Sequence, residues 1–238
     1  HSPLQSEKIQ YTMANTNHEE ETRTSIDEVN DTLTGLGERV QKNPKTIMYA
    51  CVAVAAVVIA VLVYVYAVRQ PGIRSANDAL GQADIELLMG NDSIALAKYQ
   101  QVADNHGYKA GELAGLNAAI LLYKDKKYEE AIKYLNGYSS SESIISAGAK
   151  SLEGDCYVNL KKYAEALDCF KKAISLSDGN PDYTPAFKLK EATVLREMKD
   201  YKAEAAVYEE IVKEYPNYGP QMGIDVKKYL ERAKAQAE

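Results

Sequence analysis

Three histidines, three cysteines and scattered serines and carboxylates are the residues of this 238-residue chain that could do chemistry. Hydrolysis by a zinc-bound water needs a pattern such as His-Glu-x-x-His, but His1, His18 and His106 stand far apart. His106, within Asn105-His106-Gly107, reads as a turn residue after a helix. A phosphate cradle needs Gly-x-x-x-x-Gly-Lys-Ser/Thr, and no such run exists. Ser151 and Ser175 lack a neighbouring histidine or an elbow motif, so neither reads as a nucleophile. Cys156 and Cys169 lie 13 residues apart. They read first as small buried thiols. A disulfide across a helix hairpin stays open if the Cα atoms come within about 7 Å. The expectation is a protein that is not an enzyme, with no cofactor and no metal.

Charge narrows the partners. There are 28 Lys and Arg against 34 Asp and Glu, a formal net charge of −6. That balance disfavours nucleic acid, whose binders present a basic face. Hydrophobic residues make up 46 %, but they are unevenly spread.

Residues 47–68, Ile47 to Val68, contain no charge, Gly or Pro. As a helix they span roughly 33 Å, enough for a hydrocarbon core of about 30 Å. Tyr49 stands near one end and Tyr64 and Tyr66 near the other, as interfacial rings do. A core helix rarely stays apolar all round for this long. A signal peptide is the minor alternative, because its apolar region is shorter and lies nearer the N-terminus. Arg39, Lys42 and Lys45 precede the segment, and Arg69 and Arg74 follow it. One extra charge before the segment favours a cytoplasmic N-terminus.

Residues 1–24 read as a disordered tail. Met13-Ala14-Asn15 reads as a natural start, so residues 1–12 are left out of the fold reading. Ser25 and Glu28 form a capping box. Ile26, Val29, Leu33, Leu36 and Val40 then recur at helical spacing. Residues 25–43 are therefore expected as a short amphipathic helix.

Residues 75–238 repeat. Lys127-Tyr128-Glu129-Glu130-Ala131-Ile132 returns 35 residues later as Lys162-Tyr163-Ala164-Glu165-Ala166-Leu167. A third copy runs Asp200-Tyr201-Lys202-Ala203-Glu204-Ala205, and a weaker one surrounds Ala95. Tyr99, Leu135, Phe170 and Tyr208 follow the copies at steps of 36, 35 and 38 residues. This is the period of a helix–turn–helix solenoid. Helix pairs are expected near 76–90 and 93–105, 110–125 and 127–137, 144–160 and 163–176, and 185–199 and 201–215. A last helix should run from about Gln221 to Ala235 and cover the open apolar face.

Leu152-Glu153-Gly154-Asp155-Cys156-Tyr157, with Tyr163, Ala166, Phe170 and Ala173, resembles the tetratricopeptide repeat. Gly154 and Ala166 are small where the helices of a hairpin cross. Tyr157 and Phe170 fill the gaps to neighbouring helices. Pro216 resembles the helix-ending proline of the family. Glu204 departs from the pattern, standing where alanine is usual. The resemblance implies an all-α, right-handed solenoid of about four hairpins with a C-terminal capping helix, preceded by one transmembrane helix.

The resemblance also implies a concave face lined by the first helix of each pair. Its positions would be Ile120, Tyr123 and Lys124, then Asp155, Val158 and Asn159, then Thr193, Arg196 and Glu197. This set lacks the paired cationic clamp suited to a peptide carboxylate. A short tail, one span and a repeat array resemble the ancillary SecYEG translocon subunit type of bacterial inner-membrane protein. That implies a membrane-anchored interaction scaffold with a periplasmic repeat domain. Its partners would be proteins or peptides, translocon subunits or periplasmic chaperones among them. A holdase for exported chains is the rival expectation.

Overall fold

A computed structural model of the chain describes residues 25–34 and 43–238. The described residues are all-α and fall into two compact units, one ending at Arg69 and the other Gln70–Glu238. In the first unit, residues 25–34 form helix α1. Its apolar residues Ile26, Val29 and Leu33 are exposed. The expected continuation through Leu36 and Val40, and the tail 1–24, lie outside the described residues.

Helix α2, Pro44–Val63, starts on a proline, whose fixed φ suits a first helical turn. A six-residue π-helical stretch, Tyr64–Arg69, follows directly. Hydropathy cannot register that change of winding, because it reads composition and not hydrogen-bond register. An 18-residue apolar window beginning in this region has mean hydropathy 2.8, and none of it is buried in the protein. It is long and apolar enough to cross a membrane.

The second unit is a run of helix hairpins: α3 (Gln70–Leu88), α4 (Asp92–Asn105), α5 (Tyr108–Lys124), α6 (Tyr128–Leu135), α7 (Ser143–Asn159), α8 (Tyr163–Ser177), α9 (Thr184–Glu197) and α10 (Tyr201–Glu214). Within each hairpin the tight turn carries one left-handed residue: Gly90, Lys126, Lys161 and Lys199, with φ of 80°, 60°, 59° and 61°. These four are separated by 36, 35 and 38 residues, the steps of the aromatic and aliphatic series.

Packing is sequential, each helix burying one face backwards and one forwards. On α5, Ala114, Ala118 and Leu121 join Ala83, Ala95, Tyr99 and Val102 of α3 and α4. Its Ala119 and Leu122 instead join Ala131, Leu135, Ala149 and Cys156. Small residues on α5 let the backbones approach closely, so the long side chains of neighbours can interdigitate. In the third hairpin a Cβ on Gly154 would come within 2.6 Å of the Phe170 ring, so this crossing admits only glycine at its present spacing.

The expected single terminal helix is two helices. Residues Tyr218–Met222 form α11 and Val226–Ala237 form α12. Gly223, at φ +68°, ends the first. Gly219 then lies so close to the returning chain that a Cβ would meet the Ile224 carbonyl oxygen at 2.7 Å. The Asp225 side chain caps α12 by accepting from Lys228 N at 3.1 Å. Val226, Leu230 and Ala233 close the apolar face of α9 and α10.

Candidate protein-interaction surface

The first helices of the middle and last hairpins, α5, α7 and α9, bring five polar side chains together. Lys190 Nζ on α9 donates to Asp155 Oδ2 on α7 at 2.7 Å and to Ser151 Oγ at 3.2 Å. It also stands 5.8 Å from the Phe170 ring centre. Burial pushes the Asp155 carboxyl up, and Lys190 pulls it back only in part. Asn159 Nδ2 donates to the Asp155 backbone carbonyl at 2.8 Å. Tyr123 on α5 reaches the Asn159 side chain, and burial, then Asp155, raise its phenol above the ordinary value. Its ring meets Tyr128 edge-on, 5.6 Å between centres.

The other positions expected to face the groove divide. Ile120 and Lys124 are exposed on α5, and Glu197 is exposed on α9. Thr193 is exposed too, but its hydroxyl donates to the Leu189 carbonyl at 2.9 Å. Val158 is half-buried against Ala166, Phe170 and Val194, so it serves packing. Arg196 turns toward the C-terminal cap. Its Nη1 donates to Gln236 Oε1 at 2.6 Å, and its guanidinium lies 5.9 Å from the Tyr201 ring centre.

Sequence reasoning missed Lys190. The signal was available: Ile120, Asp155 and Lys190 are separated by 35 residues each, so they occupy one register position in three successive hairpins. The 38-residue step of the last repeat directs attention to Thr193 instead.

Of the residues expected at repeat crossings, Ala95, Tyr99, Ala131, Gly154, Ala166, Phe170, Ala173 and Tyr208 are buried. Tyr128, Tyr157, Tyr163 and Tyr201 are half-buried, and Pro216 is exposed beyond the end of α10. Cys156 and Cys169 are buried free thiols. Burial pushes both up to about 12. Neither is poised as a thiolate nucleophile. Among the described residues no three His, Cys, Asp or Glu side chains gather to hold a metal ion.

Glu204 is the buried polar exception. It is fully buried on α10 and accepts from the Tyr208 hydroxyl at 3.0 Å through Oε2. Arg196 on α9 stands 3.7 Å from its Oε1, and Arg232 on α12 stands 3.8 Å from its Oε2. Three helices thus converge on one carboxylate. Its Oε1 is buried without a hydrogen-bond donor.

Comparison with known proteins agrees with this architecture. Residues 71–196 match the family model described as a tetratricopeptide repeat-like domain. Residues 187–218 match a second model, tetratricopeptide repeat. Among solved structures, a crystal structure of MamA superposes with a TM-score of 0.50 at 17 % identity, covering 65 % of this chain and 94 % of that one. A second crystal structure, of MamA protein, gives 0.51 at 16 % identity, covering 68 % and 91 %. Identities this low show likeness of fold alone. Comparison with curated proteins gave no match. The first family match spans more than half of the sequence, and the chain belongs to the tetratricopeptide repeat-like domain family.

Proposed function

We propose that the chain is a single-pass membrane scaffold whose repeat domain holds an extended segment of a partner protein. The observation that carries this is the cluster of Tyr123, Asp155, Asn159 and Lys190. It joins first helices of three successive hairpins, so a strand laid along them would meet donors and acceptors at each step. The Asp155–Lys190 pair is partly withdrawn from water, where a partner's polar groups exchange into it at higher gain than at an open surface. The apolar helix α2, unburied along its length, would anchor the scaffold and raise its local concentration at the membrane. Residues 1–24 would be the tail, 25–43 a stem helix, 47–68 the span and 75–238 the binding domain. The span and the charge bias before it support a periplasmic repeat domain working beside secretion or envelope assembly.

The exposed apolar residues Ile85, Leu88, Met89 and Ile94 around the α3–α4 turn favour a second reading, a holdase for unfolded exported chains. One experiment addresses both. The full chain in its membrane is given a photocrosslinking residue in place of Ile120 or Thr193, then treated with protease from the outer side. A scaffold gives one discrete crosslinked partner and loses it in Lys190→Ala. A holdase gives many partners and is insensitive to Lys190→Ala. Protection of the repeat domain from outside protease would refute the periplasmic assignment.

A further inference from the structure

Three tyrosines and two carboxylates surround a cleft that lies outside the cluster just described. Tyr108 at the start of α5, Tyr134 on α6 and Tyr138 just after it line an opening of about 550 Å³, together with Asp104 and Glu112. The carboxylates are felt by the rings. After burial, Asp104 is the leading influence that raises the Tyr134 phenol, and Glu112 plays that part for Tyr138. Gly115 leaves room on the α5 side, where a Cβ would stand 3.8 Å from the Tyr134 ring edge. Tyr108 holds a left-handed backbone at φ +54°, a conformation that costs an aromatic residue free energy.

Four aromatic rings elsewhere in the repeat domain are met by the protein's own cations. Lys188 lies over Tyr215, Lys190 over Phe170, Arg196 over Tyr201 and Arg232 over Tyr229. Among the described residues no Lys or Arg lies over Tyr108, Tyr134 or Tyr138. Lys133 is the one Lys or Arg lining the cleft, and among the described residues it forms no ion pair. The lining therefore holds two carboxylates against one ammonium and the His106 imidazole. None of its three rings is covered by a Lys or Arg among the described residues, and the hydroxyl end of Tyr108 packs against Gly72 of α3.

We propose that this cleft is a binding site for an organic cation, an alkylammonium or guanidinium of the kind carried by a lysine or arginine side chain. The negative ring faces attract the cation and tolerate its alkyl arm, while Asp104 and Glu112 supply the charge it needs on leaving bulk water. The site does not depend on the partner-binding cluster, so either assignment stands or falls alone.

The test uses the full chain in a nonionic maltoside detergent, which carries no competing ammonium, and follows tyrosine absorbance and isotope-labelled tyrosine NMR signals. The probes are N-acetyl-arginine amide, N-acetyl-lysine amide, spermidine and, as the uncharged match, N-acetyl-norleucine amide. Saturable shifts with the cations and none with norleucine are expected. Saturation by the amides identifies a side chain as the source, and saturation by spermidine alone identifies a free polyamine. Asp104→Asn with Glu112→Gln should weaken binding about 5- to 10-fold. Tyr138→Leu should weaken it similarly and Tyr138→Phe should not, because the ring and not the hydroxyl is the partner. Lys133→Gln should tighten binding about 2-fold by removing the competing charge. Equal binding of norleucine, no saturation by any cation, or an unchanged titration in the folded carboxylate variant would overturn the proposal.

Discussion

Replacing Glu204 by alanine restores the residue usual in the repeat, yet the structure requires the substitution to destabilise. Glu204 Oε2 is the acceptor for the Tyr208 hydroxyl, and Tyr208 is itself only 3 % exposed. Losing that acceptor leaves a buried hydroxyl orphaned, a cost of about 1–3 kcal/mol. Truncating a fully buried side chain adds a cavity cost of about 1 kcal/mol. The two arginines contribute less, because they stand 3.7 and 3.8 Å away and keep access to water. Relief of the desolvated carboxylate offsets part of the loss. The net loss is about 2–3 kcal/mol, a fall in Tm of roughly 4–12 °C for a domain of this size. The full chain in detergent would be heated while its tyrosine near-UV circular dichroism is followed. Combining Glu204→Ala with Tyr208→Phe removes the orphan, so the double variant should recover about 1–2 kcal/mol against the sum of the singles. A Glu204→Ala protein as stable as the parent, or strict additivity in the double, would refute the reasoning.

Three further outcomes are expected. Gly154→Ala should cost about 1–3 kcal/mol in urea denaturation, since its methyl would overlap the Phe170 ring; adding Phe170→Leu should return part of that loss. Cys156 and Cys169, raised to about 12, should resist iodoacetamide at pH 8 when folded and react in urea; their native protons are shed only near that value while unfolded thiols ionise near 9, so stability should fall as pH rises from about 9 to 12. Asp155 is raised by burial, so the folded state holds its proton more tightly than the unfolded chain does. Its contribution is favourable at low pH and is lost as pH rises through the folded value, and Asp155→Asn should flatten that part of the pH–urea midpoint curve.

The repeat architecture was legible because it rests on a period. Small residues such as Ala131 and Ala166, and large ones such as Tyr99 and Phe170, recur at a fixed phase, and a solenoid needs little else to be recognised. What stayed hidden depends on atoms from distant elements converging. Glu204 reads in sequence as a breach of pattern, and only the approach of Arg232 from the cap gives it a reason. Lys190 was hidden for a different reason, since its partnership with Asp155 depends on which of two repeat steps sets the register. The break at Gly223 was hidden because one glycine in a short polar segment does not distinguish a bend from a turn within one helix. The π-helical stretch after α2 lies beyond any reading of hydropathy.

The four left-handed turns have a consequence for how the chain is born. Each closes a hairpin whose two helices are neighbours in sequence, so the contacts of the repeat domain are mostly local. A hairpin needs only about 35 residues of chain to be complete. The first can therefore close while the later ones are still being synthesised, and each finished hairpin offers its forward apolar face as a template for the next. Until α12 arrives, the newest face stays open to water. Helix α12, with Arg232 reaching back to Glu204, thus shields the face of α9 and α10 from premature association.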